Sequence, residues 1–354
     1  MLRRKTLKNL TRLWSQSLAP LLPAKPRRAK ASKPKAAPAR APARAAKAAA
    51  KKTTRTTGAA KTTPATGGRW VRGAAAGPAG MRHYRLFLPA GRAAGQRWPL
   101  MVMLHGCDQN IERFAASTRM HQLGARQGFA VLYVEQDRLA NASGCWNWFA
   151  TRDGRAQAEV GLIMQAVEQA CRLYRADRTR VAIAGLSAGA SMAALVVTRH
   201  PERFQALAMH SGVPPGSARS GLGALSAMHG RGRTAPLEAD AAAMADHWPA
   251  LLVLQGGSDR VVKDTNGRNA AALWAAAADA QPRPPRQVQR GTRYAMQVTD
   301  YQVRRRTVAT LVEIAQLGHA WSGGPAKEAY SDPHGPDASR LIWAFARRQF
   351  DRPR

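Results

Sequence analysis

The sequence predicts an α/β domain, built on a mainly parallel sheet with helices on both faces, preceded by a disordered basic tail. Short apolar runs typical of buried strands alternate with segments whose apolar residues recur at helical spacing. Charge divides the chain: the 354 residues carry a net charge of +34, yet the first 72 hold 20 Lys and Arg and no Asp or Glu. We therefore predict a tail at 1–78 and a catalytic domain at 79–354.

The tail has the composition of a disordered segment. Residues 24–68 contain no apolar side chain larger than Ala, so they bury too little surface to offset the entropy of ordering. The positive charge of residues 1–72 favours a polyanion or the surface of a granule as a partner. A solvated linker without a partner is the alternative.

The first residues show a second pattern. Leu7, Leu10, Trp14 and Leu18 recur at three- and four-residue spacing, which predicts a short basic amphipathic helix at 5–19 or an accidental pattern. Polar residues interrupt the apolar run that an export signal needs, so we expect a cytoplasmic, granule-associated protein, with an extracellular one as the alternative. The sequence contains no stretch of eighteen apolar residues, so no transmembrane helix is predicted.

The domain is predicted element by element from its apolar periodicity. Strands are expected at 82–89, which is read as an edge strand, and at 99–104, 130–134, 181–184, 206–209, 251–254 and 308–314. Helices are expected at 156–174, 188–198, 268–278 and 337–348. Residues 214–248 are rich in Pro, Gly, Ser and Ala, and we expect them to cover the ligand edge of the sheet as a small cap or loop.

A serine nucleophile is predicted at Ser187. It lies in the G-x-S-x-G sequence 185–189, between a predicted strand and an Ala-rich predicted helix. That strand–turn–helix context lifts the hydroxyl above the sheet and directs the helix N-terminus at it. An ordinary Gly/Ser-rich turn is the alternative.

The base and the acid should follow the nucleophile in the order Ser, Asp, His. His319 comes just after the last strand, whereas His334 lies between prolines in a segment typical of a surface turn. Asp259 directly follows the strand at 251–254, and Asp264 is the second candidate. The backbone N–H groups of Cys107 and Ala188 are the expected oxyanion donors. No metal or organic cofactor is expected, and no CxxC sequence occurs.

Several stretches resemble the poly(3-hydroxybutyrate) depolymerase-type esterase family. They are LHGCDQN (104–110), FAASTRMHQLGARQGFAVLYVEQ (114–136), CWNWF (145–149), VAIAGLSAGASMAA (181–194), HSGVPPG (210–216), GSDRVV (257–262), GHAWSGG (318–324) and DPHGPDASR (332–340). The resemblance implies an α/β-hydrolase fold, a Ser187–Asp259–His319 triad, and a polyhydroxyalkanoate or short-chain hydroxyacyl ester as substrate. Feruloyl and acetylxylan esterases look similar in the same regions, so a carbohydrate esterase is the alternative.

The resemblance also concerns cysteines and tryptophans. It implies that Cys107 and Cys145 can pair, with free buried thiols as the alternative, and a bond between them would count against a cytoplasmic location. Trp146, Trp148 and Trp321 are expected to line an apolar substrate groove or to be core aromatics. A function of another class is a tail-anchored protein that binds a polyanion or granule and uses the domain as a scaffold.

Overall fold

A computed structural model describes residues 67–78, 80–91, 95–231 and 242–352. The predictions for residues 1–66, including the amphipathic helix, lie outside these residues. Among the residues described, no helix is both long enough and apolar enough to cross a membrane.

The described chain alternates strands and helices. The strands are β1 (Gly68–Gly77), β2 (Gly80–Pro89), β3 (Trp98–Leu104), β4 (Ala130–Val134), β5 (Ala176–Leu186), β6 (Ala206–His210), β7 (Ala250–Gly256), β8 (Gln281–Pro282), β9 (Arg286–Val288), β10 (Met296–Val303), β11 (Arg306–Ile314), β12 (Trp321–Ser322) and β13 (Ser331–Asp332). The α-helices are α1 (Ile111–Thr118), α2 (Met120–Gln127), α3 (Arg155–Leu173), α4 (Ala188–Arg199), α5 (Gly221–Met228), α6 (Thr265–Ala277) and α7 (Ala338–Phe350). Two short 3-10 helices span Pro201–Arg203 and Ala245–His247.

Eleven of the strands form one sheet, and its centre is parallel. The order is β1-β2-β4-β3-β5-β6-β7-β11-β10-β8, with β9 also paired to β10. Every pairing from β4 to β11 is parallel, while both ends of the sheet are antiparallel. The prediction of a mainly parallel sheet is therefore confirmed.

Helices cover both faces of this sheet, as predicted. One buried cluster joins the strands to apolar residues of α3, α4 and α6, and the other joins them to residues of α1, α2 and α7. The central strands are buried on both faces, which explains why they read as continuous apolar runs.

The prediction that 82–89 is an edge strand is wrong. β2 lies between β4 and β1, and β1 pairs with it along its whole length, from Gly68 opposite Pro89 to Gly77 opposite Gly80. The folded residues thus begin at least ten positions before the boundary expected at 78/79. The missed strand is rich in Gly and Ala and weak in apolar periodicity, so pairing with β2 accounts for it better than its own propensity does.

The strand order reverses beside β3. The chain runs from β3 to its neighbour β4 and then returns to β5 on the other side of β3. In open sheets of this kind, ligands bind outside the carboxyl ends of the strands at such a switch point. The loops after β3 and β5 carry the predicted oxyanion and nucleophile residues.

The interrupted segment 214–248 is only partly described. It contains α5, which begins at an N-cap where Ser220 accepts a hydrogen bond from the Gly223 backbone N–H at 3.2 Å. Met228, the last residue of α5, reaches the pocket described below. The expected role of 214–248 as a cap remains a prediction.

Candidate active site

Ser187 occupies a tight turn between β5 and α4. Its φ of 56° and ψ of −121° are unusual for a residue with a side chain. A Cβ on Gly185 would overlap the backbone of Gly189, and a Cβ on Gly189 would overlap the backbone of Leu104 and His105. Only glycine fits at both positions, which explains the G-x-S-x-G sequence.

Two neighbours fix this turn. The Ser187 backbone N–H donates to the His210 carbonyl oxygen at 2.9 Å, which ties the turn to the end of β6. The Ser187 carbonyl accepts the N–H groups of Ala190 and Ser191 at 3.0 and 3.1 Å, which starts α4. The first N–H groups of this helix therefore point toward the nucleophile, where the helix dipole favours negative charge.

Asp259 and His319 are brought together from loops after β7 and β11. His319 Nδ1 lies 2.8 Å from Asp259 Oδ2, and the Asp259 side chain is fully buried. Asp259 Oδ1 accepts the backbone N–H groups of Val261 and Val262, each at 2.9 Å. These bonds orient the carboxylate, and they leave His319 Nε2 on the opposite edge of the ring.

The electrostatics of Asp259 follow from these contacts. Burial alone would raise its pKa, but the nearby His319 ring and the two backbone amides bring the pKa below its usual value. The carboxylate is therefore ionised at neutral pH, and it can stabilise a positively charged imidazole.

Ser187 and His319 line one small pocket. Its volume is about 20 Å³, room for roughly one water molecule. The wall is largely apolar, and its members include Trp148, Leu186, Val213, Met228, Val261 and Val262. Entry of an acyl group therefore requires some of these side chains to move.

The loop after β3 borders the same pocket. Gly106 and Cys107 line it, and a Cβ built on Gly106 would lie 3.5 Å from the Ser187 Cβ. Among the residues described, neither the Cys107 N–H nor the Ala188 N–H donates to another protein group. Cys107 and Ala188 both line the pocket, and their role as oxyanion donors remains a prediction.

Cys107 and Cys145 form a disulfide, so the alternative of two free thiols is not observed. Their Cα atoms are 4.3 Å apart, and the Asp108 N–H donates to the Ser143 carbonyl at 2.9 Å beside them. These links hold the loop after β3 against the CWNWF segment. Cys171 is a free, buried cysteine.

A buried ion pair supports this segment from behind. Arg82 Nη2 lies 3.3 Å from Glu159 Oε1, with both side chains almost fully buried. Glu159 also accepts the Asn147 N–H at 2.9 Å, and Asn147 Nδ2 and Gln136 Nε2 at 2.7 Å each. Gln136 Nε2 lies 3.0 Å from the Cys145 carbonyl as well. Glu159 thereby anchors the middle of the CWNWF segment directly and its first residue, Cys145, through Gln136.

Of the three predicted tryptophans, only Trp148 lines the pocket. Trp146 is fully buried and packs near His105, with ring centroids 5.9 Å apart. Trp321 stacks on His210 and its Nε1 donates to Ser339 Oγ at 3.2 Å. Trp146 and Trp321 are therefore core aromatics and do not contact the pocket.

The second candidates for acid and base lie elsewhere. Asp264 caps α6 by accepting the Thr265 N–H at 2.9 Å and pairs with Arg268 at 2.8 Å. His334 is exposed in a turn where its N–H donates to Asp332 Oδ1 at 2.9 Å. Neither lines the pocket.

Sequence reasoning missed several residues of the site. His210 Nε2 accepts the Ser322 N–H at 3.2 Å, and burial, aided by the nearby His319, lowers the pKa of His210 to about 3. It is thus a neutral support that joins the loop after His319 to the turn at Ser187. Met228, Val261 and Tyr330 also line the pocket. Val261 lies in the quoted stretch 257–262 but was given no role, and Met228 and Tyr330 lie outside the quoted stretches.

A serine on a strained strand–turn–helix junction, beside a His–Asp pair, is the arrangement of serine hydrolases with the α/β-hydrolase fold. The family model described as Esterase PHB depolymerase matches residues 82–275, more than half of the chain. The chain belongs to this family of ester hydrolases, so the resemblance seen in the sequence is confirmed.

Two curated relatives illustrate the range of this similarity. Poly(3-hydroxyalkanoate) depolymerase C of Paucimonas lemoignei is 35% identical over 142 residues, which are 40% of this chain and 34% of the relative. Feruloyl esterase B of Neurospora crassa is 28% identical over 114 residues, 32% of this chain and 39% of the relative. The chain thus spans little more than a third of the length of these relatives.

Solved structures share the fold. An acetyl xylan esterase from Aspergillus awamori superposes with a TM-score of 0.57 at 19% identity, covering 71% of this chain and 94% of that one. An S-formylglutathione hydrolase from Staphylococcus aureus gives a TM-score of 0.52 at 13% identity, covering 80% and 97%. The expected α/β-hydrolase fold is therefore confirmed.

Proposed function

We propose that this protein hydrolyses carboxylic esters through an acyl-enzyme on Ser187, with His319 as the base and Asp259 as the acid that orients it. One observation carries the proposal: His319, whose Nδ1 lies 2.8 Å from Asp259 Oδ2, lines the same pocket as Ser187. Family membership supports the same class of reaction.

The mechanism follows from the roles of these groups. His319 Nε2 takes the Ser187 proton as Oγ attacks the ester carbonyl, and Asp259 stabilises the imidazolium. The N–H groups of Cys107 and Ala188 bind the oxyanion. The protonated His319 then gives its proton to the departing alcohol. Water, activated by the neutral His319, finally releases the acid and frees Ser187.

The substrate we propose is a polyhydroxyalkanoate, such as poly(3-hydroxybutyrate), or a short-chain hydroxyacyl ester. The largely apolar wall suits the acyl part of such an ester once the side chains of the wall have moved. The relative from Paucimonas lemoignei is named as a depolymerase of this polymer class. A feruloyl or acetylxylan carbohydrate esterase is the second candidate, which the relative from Neurospora crassa favours.

The tail supports an additional binding function toward a polyanion or granule surface, because residues 1–72 hold 20 positive and no acidic side chains. A full-length variant with the Lys and Arg of 25–61 replaced by Gln should lose salt-sensitive binding to duplex DNA and to polymer granules. Equal binding by the variant and the wild type would refute this function.

The disulfide bears on the compartment in which the protein works. A Cys107–Cys145 bond is typical of oxidising environments, so it favours the extracellular alternative over the cytoplasmic location expected from the sequence. Quenching cells in acid, alkylating the denatured protein without reductant and counting the modified thiols tests this: one alkylated cysteine, Cys171, supports the extracellular alternative, and three support the cytoplasmic location.

The experiment that tests the enzyme measures 3-hydroxybutyrate released from amorphous poly(3-hydroxybutyrate), together with cleavage of p-nitrophenyl butyrate. Ser187→Ala should lower kcat by several orders of magnitude on both. Ser226→Ala, outside the pocket, is the matched control and should keep full activity. Normal turnover by Ser187→Ala would refute the proposal, and cleavage of the small ester alone would exclude the polymer and leave a small ester or a carbohydrate ester as the substrate.

A further inference from the structure

The side chain of Gln109 has a fixed orientation in the pocket. It lines the pocket beside Ser187 and is 3% exposed. Its Oε1 accepts the Gly106 backbone N–H at 3.0 Å, and only the amide oxygen can accept such a bond. The other amide atom, Nε2, is therefore a donor by elimination rather than by an arbitrary choice of flip.

This donor has no protein partner. Gln109 Nε2 is buried, and no hydrogen-bond acceptor contacts it among the residues described. The rest of the wall is largely apolar, so the pocket offers it few acceptors. A buried amide N–H without a partner is destabilising, and such groups in native proteins call for an explanation. An acceptor on a bound substrate is one that fits this pocket.

The amide also lies at a useful distance from the nucleophile. A Cβ built on Gly106 would lie 3.4 Å from Gln109 Oε1 and 3.5 Å from Ser187 Cβ, so Gly106 lies between these two side chains. An acyl group bonded to Ser187 can span that gap with a substituent two or three bonds from its carbonyl carbon. The carbonyl oxygen itself has two lone pairs, and the N–H groups of Cys107 and Ala188 already match them.

We propose that Gln109 Nε2 donates a hydrogen bond to an oxygen at the 3-position of the acyl chain, and that this contact makes the site selective for 3-oxygenated acyl groups. The inference rests on the proposed function and specifies the substrate of the same site. An ether or ester oxygen accepts hydrogen bonds but cannot donate them. A lone N–H donor in an apolar wall is therefore the complement of such an oxygen.

The test uses two p-nitrophenyl esters that differ by one atom. The 3-methoxybutyrate has an ether oxygen where the 3-methylpentanoate has a methylene group. In the full-length protein we expect kcat/KM to favour the methoxy ester by about tenfold, an ordinary value for one buried hydrogen bond. Gln109→Glu keeps an oxygen for the Gly106 N–H but removes the donor, so the preference should fall to about one.

The ratio of two substrates cancels any general effect of the new charge on the oxyanion. Gln109→Met removes the donor without adding charge and should also lower the ratio to about one. Gln205→Glu is the matched control, because Gln205 Oε1 likewise accepts a backbone N–H, from Val181 at 2.8 Å, and its Nε2 has no partner within the described part of the chain. Gln205 directly precedes the amino-terminal end of β6, whereas the pocket lies at the carboxyl ends of the strands, so its variant should retain the preference.

The outcomes separate this inference from the function beneath it. If the wild type does not cleave p-nitrophenyl butyrate in a Ser187-dependent way, both the proposed function and the role of Gln109 are refuted. Normal cleavage with a wild-type ratio near one would refute only the role of Gln109. The same holds if both Gln109 variants fold, by circular dichroism, and lose rate equally on the two esters.

Discussion

Two buried carboxylates in this protein have similar surroundings but different partners. Asp259 and Glu159 both have side chains no more than 3% exposed, and each accepts at least three hydrogen bonds. Asp259 faces an imidazole, whereas Glu159 faces the guanidinium of Arg82. A guanidinium does not lose its proton in proteins, but an imidazole exchanges one near neutral pH.

The difference separates the proposed catalytic carboxylate, Asp259, from a supporting one, Glu159. Burial and complete hydrogen bonding are common to both, so neither property identifies the active site. Asp259 acts on a titratable ring that lines the pocket, while Glu159 fixes Asn147 and Gln136 in a loop behind it. We therefore expect Asp259 to govern rate and Glu159 to govern stability.

Asp259→Asn gives the sharpest test of this comparison. The amide preserves the shape and the acceptor for the Val261 and Val262 N–H groups, but it no longer stabilises the imidazolium and favours the wrong His319 tautomer. We expect kcat on p-nitrophenyl butyrate to fall by about 10³- to 10⁴-fold, as is usual for this change in a triad. The midpoint of thermal unfolding should move little. A kcat within tenfold of wild type would contradict the assignment.

Glu159→Gln should show the opposite balance. It leaves the Arg82 charge buried without its carboxylate and turns one acceptor toward the Asn147 donors into a donor. We expect a loss of about 3 kcal/mol in the free energy of unfolding, measured in urea, because one partner of a buried pair is removed. The kcat of the folded fraction should fall less than tenfold.

The control for this change is a double-mutant cycle with Arg82→Met. Removal of both charges leaves no unpaired ion, so the double variant should be more stable than the sum of the single losses predicts. Additive losses, or a kcat reduction as large as that of Asp259→Asn, would show that the two carboxylates do not differ as described.

The sequence predicted the part of this contrast that depends on chain order. Asp259 and His319 each follow a strand of a mainly parallel sheet, so the topology alone brings them to one edge. Glu159 carried no such signal, since a single acidic residue on a helix usually faces solvent, and only its tertiary contacts show that it is buried. Gln109 lay inside a quoted motif, but its free donor depends on the Gly106 bond, which sequence does not reveal.

The fold shows the same division. The buried central strands were predicted because their apolar runs reflect burial on both faces. β1 was missed because its residues are small: a Cβ at Gly73 would overlap the Tyr84 ring of the paired strand, so glycine is required by its partner. Local patterns thus predict elements whose own side chains form the core, and they fail where the neighbouring strand supplies the side chain.

The comparison extends to buried imidazoles, with a smaller expected effect. His319 has a carboxylate beside it, whereas His121 packs among Trp70, Phe87 and Tyr133, and its buried Nδ1 lacks a partner among the residues described. Burial, aided by the charge of Arg85, lowers the pKa of His121 to about 4. The unfolded chain binds a proton at this residue below about pH 6.5, while the folded chain binds one only below about pH 4.

Unfolding therefore takes up a proton in this window, and the stability contributed by His121 is lost as the pH falls from about 6.5 to 4. His121→Phe removes that proton uptake while keeping an aromatic ring in the cluster. Between pH 8 and pH 5 the variant should lose about 1 to 2 kcal/mol less unfolding free energy than the wild type. Urea unfolding at the two pH values measures this, with the exposed His247→Phe as control. Because His105 and His210 are also buried and neutral, the variant should still lose stability in acid, and an unchanged pH dependence would show that His121 is solvated in the folded state.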